Sequence, residues 1–297
     1  MIELMKKTIS EKLSNLVSGD TLFDFLKYST PTSGRGPKDK VIFLVFRPGE
    51  SAPFLCLKTI RNYDAREAII RNYDNLAKLN KLTVGNACSQ MFAQALYLHD
   101  DGENIFSIET ACPGRRMELG EEGFAKLLEQ YTDFQKHLAK NAGESVVILT
   151  QFASEIIKKS KIEEGEGHKI LEYVKLFQSQ SLKLPRLIQL GDLSEDNVLV
   201  SKNGFSIIDY DFVGVTDIPG FDLYGLFNRY SASRTKELCS KYLPGYFRSI
   251  GVSSDDGAHN GMLFLYFLVE CALRKPHARE TLTAVRIISD FKSTYKL

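Results

Sequence analysis

An α+β chain of two lobes is what the sequence predicts, and three observations predict it. The first is a set of β-prone runs in the first ~110 residues, interrupted by one helical pattern. The second is a change of character at Thr110-Ala111-Cys112-Pro113-Gly114, after which long helical periodicities dominate. The third is a polar hairpin stretch, Leu187–Gly214, set within those helices. The expected lobes are 1–112, β-rich, and 113–297, helical.

Taken in order, residues 3–17 read as an amphipathic helix and Thr21–Tyr28 as a strand or helix end. A turn-rich segment, 29–40, then leads into the strand Val41–Phe46. Gly34 and Gly36 lie in that segment, where backbone amides can lie over phosphates or the pair simply forms a flexible turn. Pro48–Ser51 is a turn, and Pro53–Ile60 a second strand with Lys58 near its end. Asp64–Asn80 is a helix, since Ile69, Tyr73, Leu76 and Leu79 fall at helical spacing. Met91–Leu98 and Asn104–Glu109 read as two further strands. Helices are then expected near 119–140, 144–160, 164–182, 220–230, 234–250, 258–274 and 276–294.

Composition excludes several classes. A formal charge of +1 argues against a dominant nucleic-acid footprint, and no nucleic-acid partner is expected. The longest apolar run, Gly261–Val269, is too short to span a bilayer, and the N-terminal stretch lacks a signal-peptide core. No membrane association is expected. Five scattered cysteines without a C-x-x-C read as reduced thiols of a cytoplasmic protein.

The hairpin stretch carries the chemistry. Lys202-Asn203-Gly204 is a turn signal between two short apolar runs, Val198–Val200 and Phe205–Ile208. Folding it brings its ends together, and with them Asp192 and Asn197 on one side, Asp209 and Asp211 on the other. A carboxylate to accept a hydroxyl proton, plus an amide and carboxylates to hold Mg²⁺, is the equipment of phosphoryl transfer.

Gly191-Asp192-Leu193, then Asn197-Val198-Leu199-Val200, Ile207-Ile208-Asp209-Tyr210-Asp211 and Asp222-Leu223, resemble the aminoglycoside phosphotransferase family, whose branch includes choline, homoserine and sugar kinases. The resemblance covers nearly the whole chain and implies a two-lobed protein-kinase-like fold. It implies transfer of the γ-phosphate of ATP, with Mg²⁺, to a hydroxyl of a small molecule: a sugar, an aminoglycoside-like compound or an amino-alcohol. Asp192 matches the catalytic Asp, and Asn197 and Asp209 the metal ligands. Asp211 is either a second-metal ligand or a solvent-facing residue. Asp222 steadies the catalytic loop or caps its own helix. Lys58 matches the nucleotide lysine. Glu109, Ala111 and Cys112 fall where hinge main-chain groups contact adenine.

Two positions depart from the family pattern. Leu190 replaces the His before Gly-Asp. Asn72 stands where the family has a Glu paired with the strand lysine; Glu67 points about 140° away round the helix. Either another acid holds Lys58, or the chain is a weak kinase, a pseudokinase binding nucleotide or a partner. A protein kinase acting on polypeptides is disfavoured, since no activation segment or A-P-E motif is visible.

Overall fold

The computed structural model describes residues 1–17, 24–29, 40–60, 65–116, 119–141, 146–160, 162–177, 183–252, 257–274 and 283–295. In chain order the elements begin with α1 (Ile2–Lys12), β1 (Asp24–Ser29), β2 (Lys40–Phe46), β3 (Leu55–Ile60), α2 (Arg66–Thr83), β4 (Ala95–Asp100) and β5 (Ile105–Thr110). They continue with α3 (Glu121–Asn141), β6 (Val146–Val147), α4 (Leu149–Lys159), α5 (Glu164–Lys175), β7 (Leu184–Pro185), β8 (Val198–Ser201) and β9 (Gly204–Ile207). The chain then runs through α6 (Phe221–Phe227), α7 (Ala232–Ser249), α8 (Gly257–Val269) and α9 (Ala284–Tyr295). Contacts divide it into two compact units, Met1–Glu118 with Glu195–Asp211, and Leu119–Ser194 with Phe212–Leu297.

In the first unit, β1 to β5 form one antiparallel sheet in the order β1-β2-β3-β5-β4. Alternation decides what each face does, because successive strand side chains point to opposite sides. Val41, Phe43 and Val45 of β2, Leu55 and Leu57 of β3, and Phe106 and Ile108 of β5 share one core. Met5 and Ile9 of α1 cover them, with Leu13 and Val17 beyond it. The other face carries Lys40, Ile42 and Leu44, then Cys56 and Lys58, then Ser107 and Glu109. The register sets these side by side: Leu44 opposite Cys56, Ile42 opposite Lys58, Cys56 opposite Glu109 and Lys58 opposite Ser107.

The hairpin β8–β9 belongs with this unit because two bridges tie it there. Phe92 pairs with Ile207, and Arg115 pairs with Val200 through two backbone hydrogen bonds. Gly114 permits the close approach: a Cβ there would lie 2.6 Å from the Val200 carbonyl oxygen. The first unit thus takes in the hairpin as well as the sheet.

In the second unit α8 is buried nearly all round, with Met262 to Tyr266, Leu268 and Val269 inaccessible to solvent. An apolar stretch without a polar face is a core helix, which explains the run read in the sequence. Among the described residues no helix is long and apolar enough to cross a membrane.

Several element boundaries differ from the sequence reading. The N-terminal helix ends at Lys12 and a turn follows, although Leu13 and Val17 stay on the buried face. Met91–Leu98 is not one strand. The Asn86 side chain accepts the Cys88 N–H at 2.8 Å and starts a 3₁₀ turn that runs to Met91, so β4 begins only at Ala95. The helix expected from residue 144 starts at Leu149, because Val146–Val147 pairs with Leu184–Pro185 instead.

Candidate active site

The polar face of the sheet and the β8–β9 hairpin line a cavity of about 560 Å³. Along β2 its wall changes from apolar to cationic, through Leu44, Ile42 and Lys40. Four residues of strand span about 13 Å, a length suited to a ligand with an apolar base and a charged tail. Leu199 and Ile208 add apolar surface from the hairpin side.

Lys58 is the best-held group in the cavity. Its Nζ lies 2.9 Å from Glu109 Oε1, and both side chains are only 6% exposed. It also donates to Asn72 Oδ1 at 3.0 Å and lies over the Tyr210 ring. Burial works hardest against its charge, yet the surrounding negative groups, Glu109 first with Asp209 among them, together hold the ammonium above its usual pKa. The acid that α2 lacks is thus supplied from β5. Glu67 and Asp74 of α2 are both exposed, while Asn72 is fully buried.

This changes the reading of Glu109. It was expected to act through its main chain at a hinge; its buried side chain, not considered from the sequence, pairs with Lys58. Ala111 gives its N–H to the Phe54 carbonyl at 3.0 Å and also lines the cavity. Cys112 lines the cavity, its thiol directed at the Ile207 carbonyl 3.8 Å away. Burial, followed by the Glu109 charge, pushes that thiol up to about 11, so it is an unreactive, protonated group at neutral pH. None of the five cysteines forms a disulfide.

The hairpin's exit supplies the acids. Asp209 has φ 65°, in the left-handed region that Asp tolerates better than most residues, at a cost of roughly 1–2 kcal/mol. The segment is pinned on both sides. Ile208 N–H donates to the Asn197 carbonyl at 2.9 Å, Asn75 Nδ2 donates to the Tyr210 carbonyl at 2.7 Å, and the buried Tyr210 hydroxyl donates to the Ile207 carbonyl at 2.6 Å. Asn72 Nδ2 donates to Asp211 Oδ1 at 2.9 Å and, more weakly, to Asp209 Oδ1 at 3.4 Å. One amide therefore links Lys58 to the acidic turn.

Lys40 completes the cluster. Its Nζ lies 2.5 Å from Asp211 Oδ1 and 3.2 Å from Asp209 Oδ1. Burial favours a neutral Asp209, but Lys40, then Lys58, hold its carboxyl below the ordinary carboxylate value. Lys40 was not singled out from the sequence. Its signal was strand parity, since it shares a face with Ile42 and Leu44.

Among the described residues no three His, Cys, Asp or Glu side chains gather as a metal-holding group. The cavity offers two carboxylates, Asp209 and Asp211, with Asn197 also in its wall. Hard oxygens in that number suit Mg²⁺, which takes one or two protein carboxylates and completes its shell with phosphates and water. The Lys40 ammonium already stands on those carboxylates as a cation.

Asp192 lies in the second unit, in a loop fixed by Asp222. The buried Asp222 carboxylate accepts the Leu190 and Gly191 N–H groups, each at 2.7 Å, and the Tyr131 hydroxyl at 2.8 Å. It is not a helix cap: the N-cap of α6 is Gly220, and the Asp222 side chain is turned to the loop. Gly191 has φ 79°, and a Cβ there would come within 2.2 Å of the Phe212 carbonyl oxygen. Behind the loop Gln189 Nε2 donates to Gln135 Oε1 at 3.0 Å, and Tyr246 donates to the same oxygen at 3.1 Å. Leu190, which replaces the expected His, is 3% exposed and is held through its backbone. Gly34 and Gly36 lie outside the described residues.

Among solved structures, one similar to this chain is a thermostable mutant of the aminoglycoside phosphotransferase APH(4)-Ia in ternary complex with ADP and hygromycin B. The TM-score is 0.54 at 10% identity, covering 97% of this chain and 98% of that one. The chain has the protein-kinase-like fold of the aminoglycoside phosphotransferases. Two looser likenesses are the streptomycin–ATP complex of APH(2")-IIa and a choline/ethanolamine kinase family protein from Mesorhizobium loti. The first has a TM-score of 0.49 at 12% identity, covering 99% of this chain and 97% of that one. The second has a TM-score of 0.42 at 14% identity, covering 100% and 95%. The assignment of the phosphotransferase fold rests on the first structure. No protein-family profile and no curated protein matches the sequence.

Proposed function

We propose that the protein is an ATP- and Mg²⁺-dependent phosphotransferase acting on a hydroxyl group of a small molecule. One observation carries the reading: Lys58, held by Glu109 and Asn72, faces the same cavity as Asp209, Asp211 and Asn197. In this reading Ile42, Leu44, Leu199 and Ile208 receive the base, and Lys58 binds phosphate oxygens. Asp209, Asp211 and Asn197 would hold Mg²⁺, which supplies charge neutralisation on the phosphates when bound with nucleotide. Asp192 orients the acceptor hydroxyl and takes its proton as the oxygen attacks phosphorus. Asp222 keeps the loop before Asp192 in one conformation through the Leu190 and Gly191 amides.

The carboxylate missing from α2 was the reason to consider a pseudokinase. Glu109 supplies it, which supports turnover. The acceptors to try are sugars, aminoglycosides and amino-alcohols. Two acids of the second unit are engaged elsewhere: Glu122 pairs with Lys126, and Asp217 with Arg186.

The test is ATP consumption with Mg²⁺ against a panel of such hydroxyl compounds, with Asp192→Asn as control. Turnover by the native protein that falls at least about 100-fold in Asp192→Asn supports the assignment. Nucleotide binding with no turnover across a broad panel overturns the enzyme reading. Undiminished turnover in Asp192→Asn removes Asp192 from its role.

A further inference from the structure

We propose that Lys40 is a second phosphate-binding lysine, held on the Asp209–Asp211 pair until metal and nucleotide arrive together. The inference rests on the nucleotide-site reading above and assigns a residue that reading leaves unused. Six charged side chains line the cavity, and, Arg116 apart, the distances sort the other five into two sets. Lys58 and Glu109 form a closed, buried pair at 2.9 Å. Lys40 is shared between two carboxylates, at 2.5 Å and 3.2 Å, with its own side chain 13% exposed. The first set is neutral. The second carries one negative charge in excess.

A divalent cation on Asp209 and Asp211 reverses that balance. It supplies the two positive charges the carboxylates need and leaves Lys40 without a role on them. A lysine ammonium on a flexible four-carbon stem then turns to the nearest new anion, here the phosphates of the bound nucleotide. Metal alone must displace Lys40 from its acids. Nucleotide alone must draw Lys40 away from them. Together neither cost remains, so metal and nucleotide favour each other's binding, and the coupling is reciprocal. Lys40 is the element that carries it.

The experiment titrates Mn²⁺, followed by the resonance signal of the free ion, with and without ADP. Wild type, Lys40→Met, Lys40→Gln and Lys40→Arg are compared, with Lys58→Met as a separate control. Loss of the tethered cation is expected to tighten Mn²⁺ binding to the nucleotide-free protein about tenfold and to weaken metal-free ADP binding by a similar factor. The mutual enhancement of the two ligands shrinks accordingly, and Lys40→Arg keeps most of it. Lys40→Gln repeats the result in a polar side chain if Lys40→Met folds poorly. Mn²⁺ affinity unchanged or weakened in both neutral variants overturns the inference. If wild type still binds ADP in a Lys58-dependent way, the nucleotide-site reading survives that outcome. A wild-type protein that binds neither Mn²⁺ nor ADP overturns both.

Discussion

Glu109→Gln isolates the acid that holds Lys58 in this site. The substitution keeps shape and one hydrogen-bond acceptor but removes the charge opposite Lys58. At 2.9 Å and an effective dielectric of about 20, the lost attraction is at most about 6 kcal/mol. Measured losses for breaking one side of a buried pair run at about 3–5 kcal/mol. Asn72 Oδ1 still accepts from Lys58 at 3.0 Å, which places the expected loss near the lower end, about 3 kcal/mol. In a chain of 297 residues that lowers the melting temperature by roughly 5 °C.

The pH dependence has a definite sign. In the native protein the Lys58 pKa is raised, so its contribution is fully present below the unfolded-state value, about 10.4, and is lost as pH climbs past it through the folded value. In Glu109→Gln burial dominates and depresses the folded pKa. The unfolded state then binds more protons, and stability rises with pH. The gap between the two proteins therefore narrows as pH goes from about 7 toward about 10. Circular-dichroism melts at several pH values read both quantities. A variant melting within about 1 °C of wild type at pH 7, or a gap that does not change with pH, would refute the reasoning.

Asp222→Asn replaces a carboxylate that accepts two backbone amides and a tyrosine hydroxyl by a group with one acceptor oxygen. We expect about 2–3 kcal/mol of lost stability in denaturant melts and a fall in kcat larger than any change in KM for ATP, since the loop before Asp192 loosens. Ser107 on β5 is 1% exposed, and among the described residues its hydroxyl has no hydrogen-bond partner. Ser107→Ala is therefore expected to be neutral or stabilising by up to about 1 kcal/mol in the same melts. A loss above that would mean that the hydroxyl is satisfied in solution.

Much of the architecture was legible because it is repetitive. The α2 periodicity placed Ile69, Leu76 and Leu79 on a buried face, and Asn72 on that face is what made the missing acid visible. The hairpin turn signal found β8 and β9. The helix expected near 258–274 proved to hold the core helix α8. What stayed hidden was long-range pairing. Glu109 sits two positions from Ser107 on a strand, and only the register with β3 shows that its side chain meets Lys58. Lys40 pairs with acids 169 and 171 residues away, which no local pattern reports. The Gln135–Gln189 network behind the catalytic-loop candidate was invisible for another reason: neutral amides on apolar elements carry no motif.

The central claim is that one cavity in the first unit binds a metal–nucleotide complex through Lys58 and the Asp209–Asp211 pair. Calorimetric titration of ADP with Mg²⁺ into wild type and Lys58→Met tests it most directly. The expected result is saturable binding by wild type that needs Mg²⁺ and weakens at least about tenfold in Lys58→Met, the loss typical of one charge-assisted phosphate contact. No binding by folded wild-type protein, or binding unaffected by Lys58→Met, would contradict it.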